Sequence, residues 1–409
     1  MPWKETCAME ERMKFVWDVL EGVHSKAALC RLYGISRPTG DKWLARYEAS
    51  GLEGLHDRSR APQHHPNGVS EAMVEQVLAV RALHGHWGPK KIRAYLEREA
   101  PEDAWPSRST VAALLRQKGL SVPPKRRRRA PPGAAGPRAA SDGPNDVWCI
   151  DFKGWFRTGD GVRCDPLTLT DAHSRYLLRC QVADGRTETV RPLVEAAFRE
   201  YGLPQAIRSD NGSPFASRGI GGLSRLSVWW MKLGIRPDRI RPGKPQENGS
   251  HERMHRTLRE ETADPPAATG RRQQEAFDRF RQTFNHARPH EALEMRTPAS
   301  VYAPSPRAYP ARLGPVEYPG GVTVRAVQKH GEFYWKAEPV FLGEALGHER
   351  IGLAPIDDRY WTIWFGPLPL GAFDAARRQV LSWRGAARRG LAAPGPTATA
   401  EGRTEDVLG

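Results

Sequence analysis

The chain of 409 residues is longer than one hydrophobic core ordinarily organises, so several domains are expected. Hydrophobic residues make up 39% of it, the mean hydropathy is −0.61, and the longest apolar runs, such as LSVWW at 226–230, fall far short of a membrane span. The net charge of +15 and the pI of about 9.8 favour a polyanionic partner, nucleic acid first and an anionic membrane second.

The N-terminus MPWKETCAMEERMK lacks an apolar core of the signal-peptide kind, so no secretory leader is expected. Five cysteines, at 7, 30, 149, 164 and 180, form no CxxC pair. An odd, dispersed set predicts free thiols in a reducing cytoplasm, with neither a disulfide frame nor a zinc knuckle.

Residues 9–47 read as three short helices within a first domain at 1–62. Met13, Val16, Trp17 and Leu20 recur at helical spacing and predict one apolar face. Ser25 reads as an N-cap, Gly34 as a turn and Ser36 as the cap of a last helix, which is the layout of a helix-turn-helix. That last helix would bury Trp43, Leu44 and Tyr47 and offer Arg37, Thr39, Lys42 and Arg46 to a major groove. A plain three-helix bundle with solvated charges is the alternative.

A second helical unit is expected at 68–120. Ser70 caps one helix, GPKKIRAYL at 88–96 starts another, and SRSTVAALLRQKGL at 107–120 forms a third. Ile92, Tyr95, Leu96, Val111, Leu114 and Leu115 supply its inward faces. Tandem units of this kind suit a bipartite DNA site, with Lys90, Lys91, Ser107, Arg108, Ser109 and Thr110 as candidate contacts. Residues 121–146 are a Pro/Gly/Ala-rich linker whose KRRRR run, including Lys125, Arg126 and Arg127, could neutralise phosphates.

Beyond the linker the pattern turns to strands. VWCIDF (147–152), LTLTD (167–171), RYLLRCQV (175–182) and AIRSD (206–210) read as strands. Helices are expected at 189–201, 223–233 and 271–287, which predicts a mixed sheet with helices on both faces over 147–305. VTVRAV, GEFYWKAEPVFLG and RYWTIWFG predict a small β-barrel-like module at 316–375, and 386–409 reads as a disordered tail.

Three acids stand in awkward places. Asp151 interrupts the apolar strand VWCIDF, and either strand alternation or a cation could account for it. Asp210 ends a strand in RSDNGSPF, where Asp-Asn-Gly is also a turn signal. Glu252 follows Asn248-Gly249 in the first turns of a charged helix and shares a face with Arg256 and Arg259.

CIDFKG, RSDNGSPF and PGKPQENGSHERMHRTLREE, followed by FNHARPHEALEMRTPASVY at 284–302, together resemble the motifs of insertion-sequence DDE transposases with a retroviral integrase-type catalytic core. The resemblance covers most of residues 10–302 and implies an RNase H-like α/β core between the N-terminal all-α units and the C-terminal β module. It implies a catalytic and metal-holding triad of Asp151, Asp210 and Glu252. The spacing departs from the family's usual one: 41 residues separate Asp210 from Glu252, whereas Glu247, after 36, comes nearer. Glu252 is preferred because the family's glutamate follows the Asn/Gln-Gly pair on the helix. A loop in ASRGIGGLSRLSVWW absorbs the excess cheaply.

The implied function is a transposase that binds the terminal inverted repeats of an element, cleaves at its ends and joins the 3′-OH ends to target DNA. A catalytically inactive DNA-binding regulator is the alternative. Two Mg²⁺ or Mn²⁺ ions, roughly 3.5–4 Å apart, would serve attacking and leaving oxygens; Asp151 would bridge them while Asp210 and Glu252 each held one. Lys244, Arg256 and Arg259 would contact donor phosphates, and His255 reads as a surface residue or phosphate contact rather than a catalytic base. No zinc is expected, because no cysteine lies at ligand spacing from His64–His65 or His84–His86. Joining two ends implies at least a homodimer on double-stranded DNA. The implied location is a bacterial-type cytoplasm, on the nucleoid, with no membrane partner.

Overall fold

The structure is a computed structural model that describes residues 7–58, 68–121, 141–217, 219–240, 249–319 and 321–394. The basic run with Lys125, Arg126 and Arg127, and the loop with Lys244 and Glu247, lie outside the described residues. The chain divides into two compact units, Met1–Val69 and Ser70–Gly409.

In the first unit, α1 (Ala8–Glu21), α2 (Lys26–Leu32) and α3 (Arg37–Ser50) are followed by a 3₁₀ turn at Gly51–Leu55. Ser25 Oγ accepts from the Ala28 N–H and Ser36 Oγ from the Thr39 N–H, each at 3.3 Å, so two orphan donors at helix starts are satisfied. Gly34 turns the chain at φ +64°. Gly40 lets α3 cross its neighbours closely, since a Cβ there would stand 2.8 Å from Cys30 Sγ. The core is Phe15, Val16, Leu29, Cys30, Trp43 and Leu55. The apolar face expected on α1 is therefore rotated: Val16 is buried, but Trp17 and Leu20 are 53% and 61% exposed. Phe15 and Val16, with Met9, Met13 and Val19 beside them, form the stripe that fills the bundle instead.

The second unit begins with α4 (Glu71–Leu83), α5 (Pro89–Glu99) and α6 (Arg108–Gln117). Ser70 and Ser107 cap α4 and α6 through the N–H groups of Met73 and Thr110. Their core joins Val77, Trp87, Ile92, Leu96, Trp105, Val111 and Leu115.

The central sheet comprises β1 (Val147–Phe152), β4 (Pro166–Asp171), β5 (Leu177–Val182), β6 (Ala206–Ser209) and β7 (Arg236–Arg239) in the order β5-β4-β1-β6-β7. A short hairpin, β2 (Phe156–Arg157) and β3 (Arg163–Cys164), lies between β1 and β4 in the chain. β1 pairs antiparallel with β4 and parallel with β6, and β6 pairs parallel with β7. On one face Trp148, Ile150, Leu167 and Leu169 pack with α7 (Thr187–Tyr201) and α8 (Arg225–Lys232) through Val194, Phe198, Trp229 and Trp230. On the other, α9 (Gly249–Thr262) and α10 (Gly270–Gln282) bring Met254, Leu258, Phe277 and Phe280 onto Cys164, Leu177 and Cys180. This is the mixed sheet with helices on both faces that the alternation of strands and helices predicts.

A C-terminal module follows. β8 (Thr323–Ala326), β11 (Arg350–Pro355), β12 (Tyr360–Phe365), β13 (Leu368–Asp374) and β14 (Gln379–Ser382) form an antiparallel sheet, with β9 (Glu332–Trp335) and β10 (Glu338–Phe341) as a separate hairpin. Its core takes in Leu223 and Val228 from the central domain, and Lys232 pairs with Glu349 at 2.8 Å. Ala386 and Ala387, at the start of the tail expected to be disordered, belong to α11 (Trp383–Ala387), capped by Ser382 and seated on β13 and β14 through Ala386; residues 395–409 of that tail lie outside the described residues.

Candidate functional site

Asp151 stands near the C-terminal end of β1, half-buried, and its cross-strand partner on β4 is Thr168. The parallel register with β6 pairs Cys149 with Arg208, each two residues before an acid: Asp151 on β1 and Asp210 directly after β6. Asp210 is half-buried, and its Oδ1 accepts from the Gly212 N–H at 3.1 Å, so the DNG turn fixes its carboxylate. Directly paired residues share a sheet face, so Cys149, Asp151, Thr168 and Thr170 lie together beneath α9.

What α9 turns toward them is a pair of histidines. His251, Met254, His255 and Leu258 recur at i, i+3, i+4 and i+7, and this stripe meets the sheet. His251 Nε2 and His255 Nε2 each lie 2.7 Å from Thr168 Oγ1, and His251 Nδ1 lies 2.9 Å from Thr170 Oγ1. Thr168 donates its one proton to the Asp151 carbonyl at 3.1 Å. Both Nε2 atoms must then donate to Thr168 Oγ1, and His251 Nδ1 accepts from Thr170, an assignment that satisfies every member of the network. Burial holds both rings neutral: it lowers the His251 pKa well below its usual value and, aided by Lys153, brings His255 down to about 4. His255 is thus a half-buried partner of Thr168, and the expectation of a surface residue is corrected.

Ligand atoms of Asp151, His251 and His255 all lie within 4.8 Å of one another. Glu252, one residue along from His251, is exposed and is not in this group. It lines a cleft of about 1020 Å³ whose walls carry Lys91, Arg175, Arg253, Arg256 and Arg288. Glu252, Arg256 and Arg259 share the exposed face, as their spacing predicts. Arg256 faces Glu260 at 3.8 Å, one turn on. Asp171, on the same cleft, is wholly buried; burial raises its pKa against hydrogen bonds from Ser174 and the Asn145 N–H, and it anchors the turn after β4.

Of the expected DNA contacts, Arg37, Lys42, Arg108 and Ser109 are exposed, Ser109 with its hydroxyl 2.7 Å from that of Ser107. Several expected contacts, Lys42 among them, are engaged within the chain. Thr39 joins the Ser36 cap, and Arg46 and Lys42 lie over the Trp43 ring at 5.0 and 4.5 Å, with Arg12 at 3.9 Å. Lys90 pairs with Glu291 at 3.1 Å and Lys91 donates to the Pro289 carbonyl at 3.0 Å, so α5 spends both cations on docking to the core. Burial lowers Lys91 to about 8. The signal that would have found the histidine pair was present in the sequence, as two histidines one helical turn apart.

Residues 141–245 and 233–298 each match a model described as an integrase core domain. Residues 11–63 match a helix-turn-helix domain and 39–115 a homeodomain-like domain. The chain is 28% identical over 282 residues to the insertion element IS407 uncharacterized 31.7 kDa protein of Burkholderia multivorans, spanning 68% of this chain and 91% of that protein. It is 27% identical over 264 residues to the insertion element IS476 uncharacterized 39.2 kDa protein of Xanthomonas euvesicatoria, spanning 64% and 73%. Among solved structures, an HTLV-2 integrase catalytic core domain in complex with magnesium aligns at 17% identity and a TM-score of 0.30, over 40% of this chain and 99% of that one.

The matched domains define a class of DNA-binding proteins in which helix-turn-helix units precede an integrase core. Within that class the chain is similar to insertion-sequence transposases with an integrase-type core. Among the described residues, no helix is long and apolar enough to cross a membrane.

Proposed function

We propose that the chain is a DNA transposase that binds the terminal inverted repeats of a mobile element, cleaves at its ends and joins the 3′-OH ends to target DNA. One observation carries this reading. Asp151 stands near the end of β1 and Asp210 directly follows β6, its parallel neighbour, in an integrase-type core, and a helix bearing Glu252 in its first turn lies across the face that holds Asp151. Three carboxylates are a hard-oxygen donor set of the kind Mg²⁺ or Mn²⁺ takes. Bound there, two such ions would supply charge stabilisation at both the attacking and the leaving oxygen.

In this reading Asp151, Asp210 and Glu252 would together hold the ions. Arg256 and Arg259, beside Glu252 on the exposed face, hold donor phosphates and fix the strand end against the carboxylates. Arg37 and Lys42 on α3 and Arg108 and Ser109 on α6 are exposed at or near capped helix starts, where groove-reading residues belong. Two ends must be brought together, so the working form is at least a homodimer on DNA.

The test is strand transfer with Mg²⁺ on oligonucleotides that carry the element's terminal repeats. Wild type joins ends to target, and Asp151→Asn and Asp210→Asn each lower joining on the order of 10³-fold while still binding the repeats. Full joining by either variant would contradict the proposal. Specific binding with no joining by wild type would instead identify a DNA-binding regulator.

A further inference from the structure

The histidine pair under α9 is more than the sheet requires. An apolar pair would hold the helix without the cost of burying two imidazoles, yet His251 is 2% exposed and both rings converge on one spot. That spot lies beside Asp151, and ligand atoms of the three residues are within 4.8 Å of one another. A tetrahedral Zn²⁺ with bonds of 2.0–2.1 Å sets its ligands roughly 3.3 Å apart, so closing the set asks for side-chain movements on the order of 1 Å. Two imidazoles and one carboxylate, with a further position open, form a donor set that suits borderline transition metals better than Mg²⁺.

We infer that Asp151, His251 and His255 form a binding site for a borderline divalent cation of the Zn²⁺ or Co²⁺ class. The Thr168 hydroxyl, which both Nε2 atoms now face, turns aside or serves as the fourth ligand. With metal on His251 Nε2 the ring proton would reside on Nδ1, and that N–H would donate a hydrogen bond to Thr170 Oγ1, already 2.9 Å away. Thr170 thereby fixes tautomer and orientation, as partners of metal-bound imidazoles do. The absence of cysteine does not count against this site, because its ligands are two helix-spaced histidines and a strand carboxylate. It shares Asp151 with the proposed catalytic centre, but its existence does not rest on phosphodiester chemistry.

The full chain, stripped of metal, is titrated with Co²⁺ and followed by visible absorption. Wild type develops one saturable set of ligand-field bands that Zn²⁺ abolishes and Mg²⁺ does not. His255→Asn and Asp151→Asn weaken Co²⁺ binding by at least about 10-fold, and Thr170→Val by about 10-fold. Far-UV circular dichroism and the metal-free melting temperature of each variant separate lost ligation from lost fold. Wild type without bands overturns the inference, as do bands of equal affinity in folded His255→Asn and Asp151→Asn. A chain that binds Co²⁺ in this pattern yet never joins DNA would sink the transposase reading alone.

Discussion

Helix α9 buries His251, Met254, Thr257 and Leu258 against the sheet and α10, while Glu252, Arg253, Arg256 and Arg259 are exposed. One helix thus carries two sets of polar residues with different tasks. On the inner face every polar atom needs a partner, because an unmet one costs about 1–3 kcal/mol; Thr168 and Thr170 supply those partners. On the outer face, charge is cheap and remains available to a ligand. The difference shows that a motif glutamate and the histidines beside it are separated by phase alone, about 100° per residue.

Substitutions on each face should fail in different ways. The largest effects belong to Asp151→Asn and Asp210→Asn, which lose strand transfer on the order of 10³-fold without unfolding the chain. Leu258→Ala should do the reverse, lowering unfolding free energy by about 2–5 kcal/mol through an unfilled cavity, with DNA affinity per folded molecule unchanged. Denaturant unfolding with a DNA-binding titration checks both halves.

His251→Ala should cost about 1–3 kcal/mol by stranding the Thr170 hydroxyl, since Thr168 keeps the Asp151 carbonyl and His255 as partners. Acid should probe the same face. His251 is held well below its ordinary pKa, His255 at about 4 and His290 at about 3, each chiefly by burial. Below pH 6.5 the unfolded chain takes up protons at these positions that the folded chain refuses, so stability falls as pH drops toward 4. His255→Asn should flatten that slope; an unchanged slope in melting temperature against pH would show that the ring is not held neutral. The smallest effect is expected of Arg256→Ala, within about 0.5 kcal/mol in stability but lowering the salt dependence of DNA binding by about one phosphate.

Much of this architecture was legible in the residues. The strand VWCIDF has the bounds its apolar run predicts, and the serine caps at 25, 36 and 70 satisfy the N–H groups expected. Both depend on local chemistry that no tertiary contact overrides. The strands Arg350–Pro355 and Leu368–Asp374 were missed because each carries Gly and Pro inside an otherwise apolar run. The phase of α1 was misread because Met13, Val16, Trp17 and Leu20 fit helical spacing as well as the stripe through Phe15 and Val16, and only the packing of α2 and α3 chooses between them. At the site, motif order selected Asp151, Asp210 and Glu252, but the inward turn of His251 and His255 needs Thr168 and Thr170, more than eighty positions away. Lys90 and Lys91 read as free cations for a similar reason, since Glu291 and the Pro289 carbonyl meet them from far along the chain.

The central claim is that the exposed face of α9 brings its glutamate to the reaction. The most direct measurement is Mg²⁺-dependent strand transfer by Glu252→Gln beside Glu247→Gln, with binding to the terminal repeats recorded for both. The expected result is joining abolished in Glu252→Gln, retained in Glu247→Gln, and binding intact in each. Full joining by Glu252→Gln together with loss in Glu247→Gln would contradict the account.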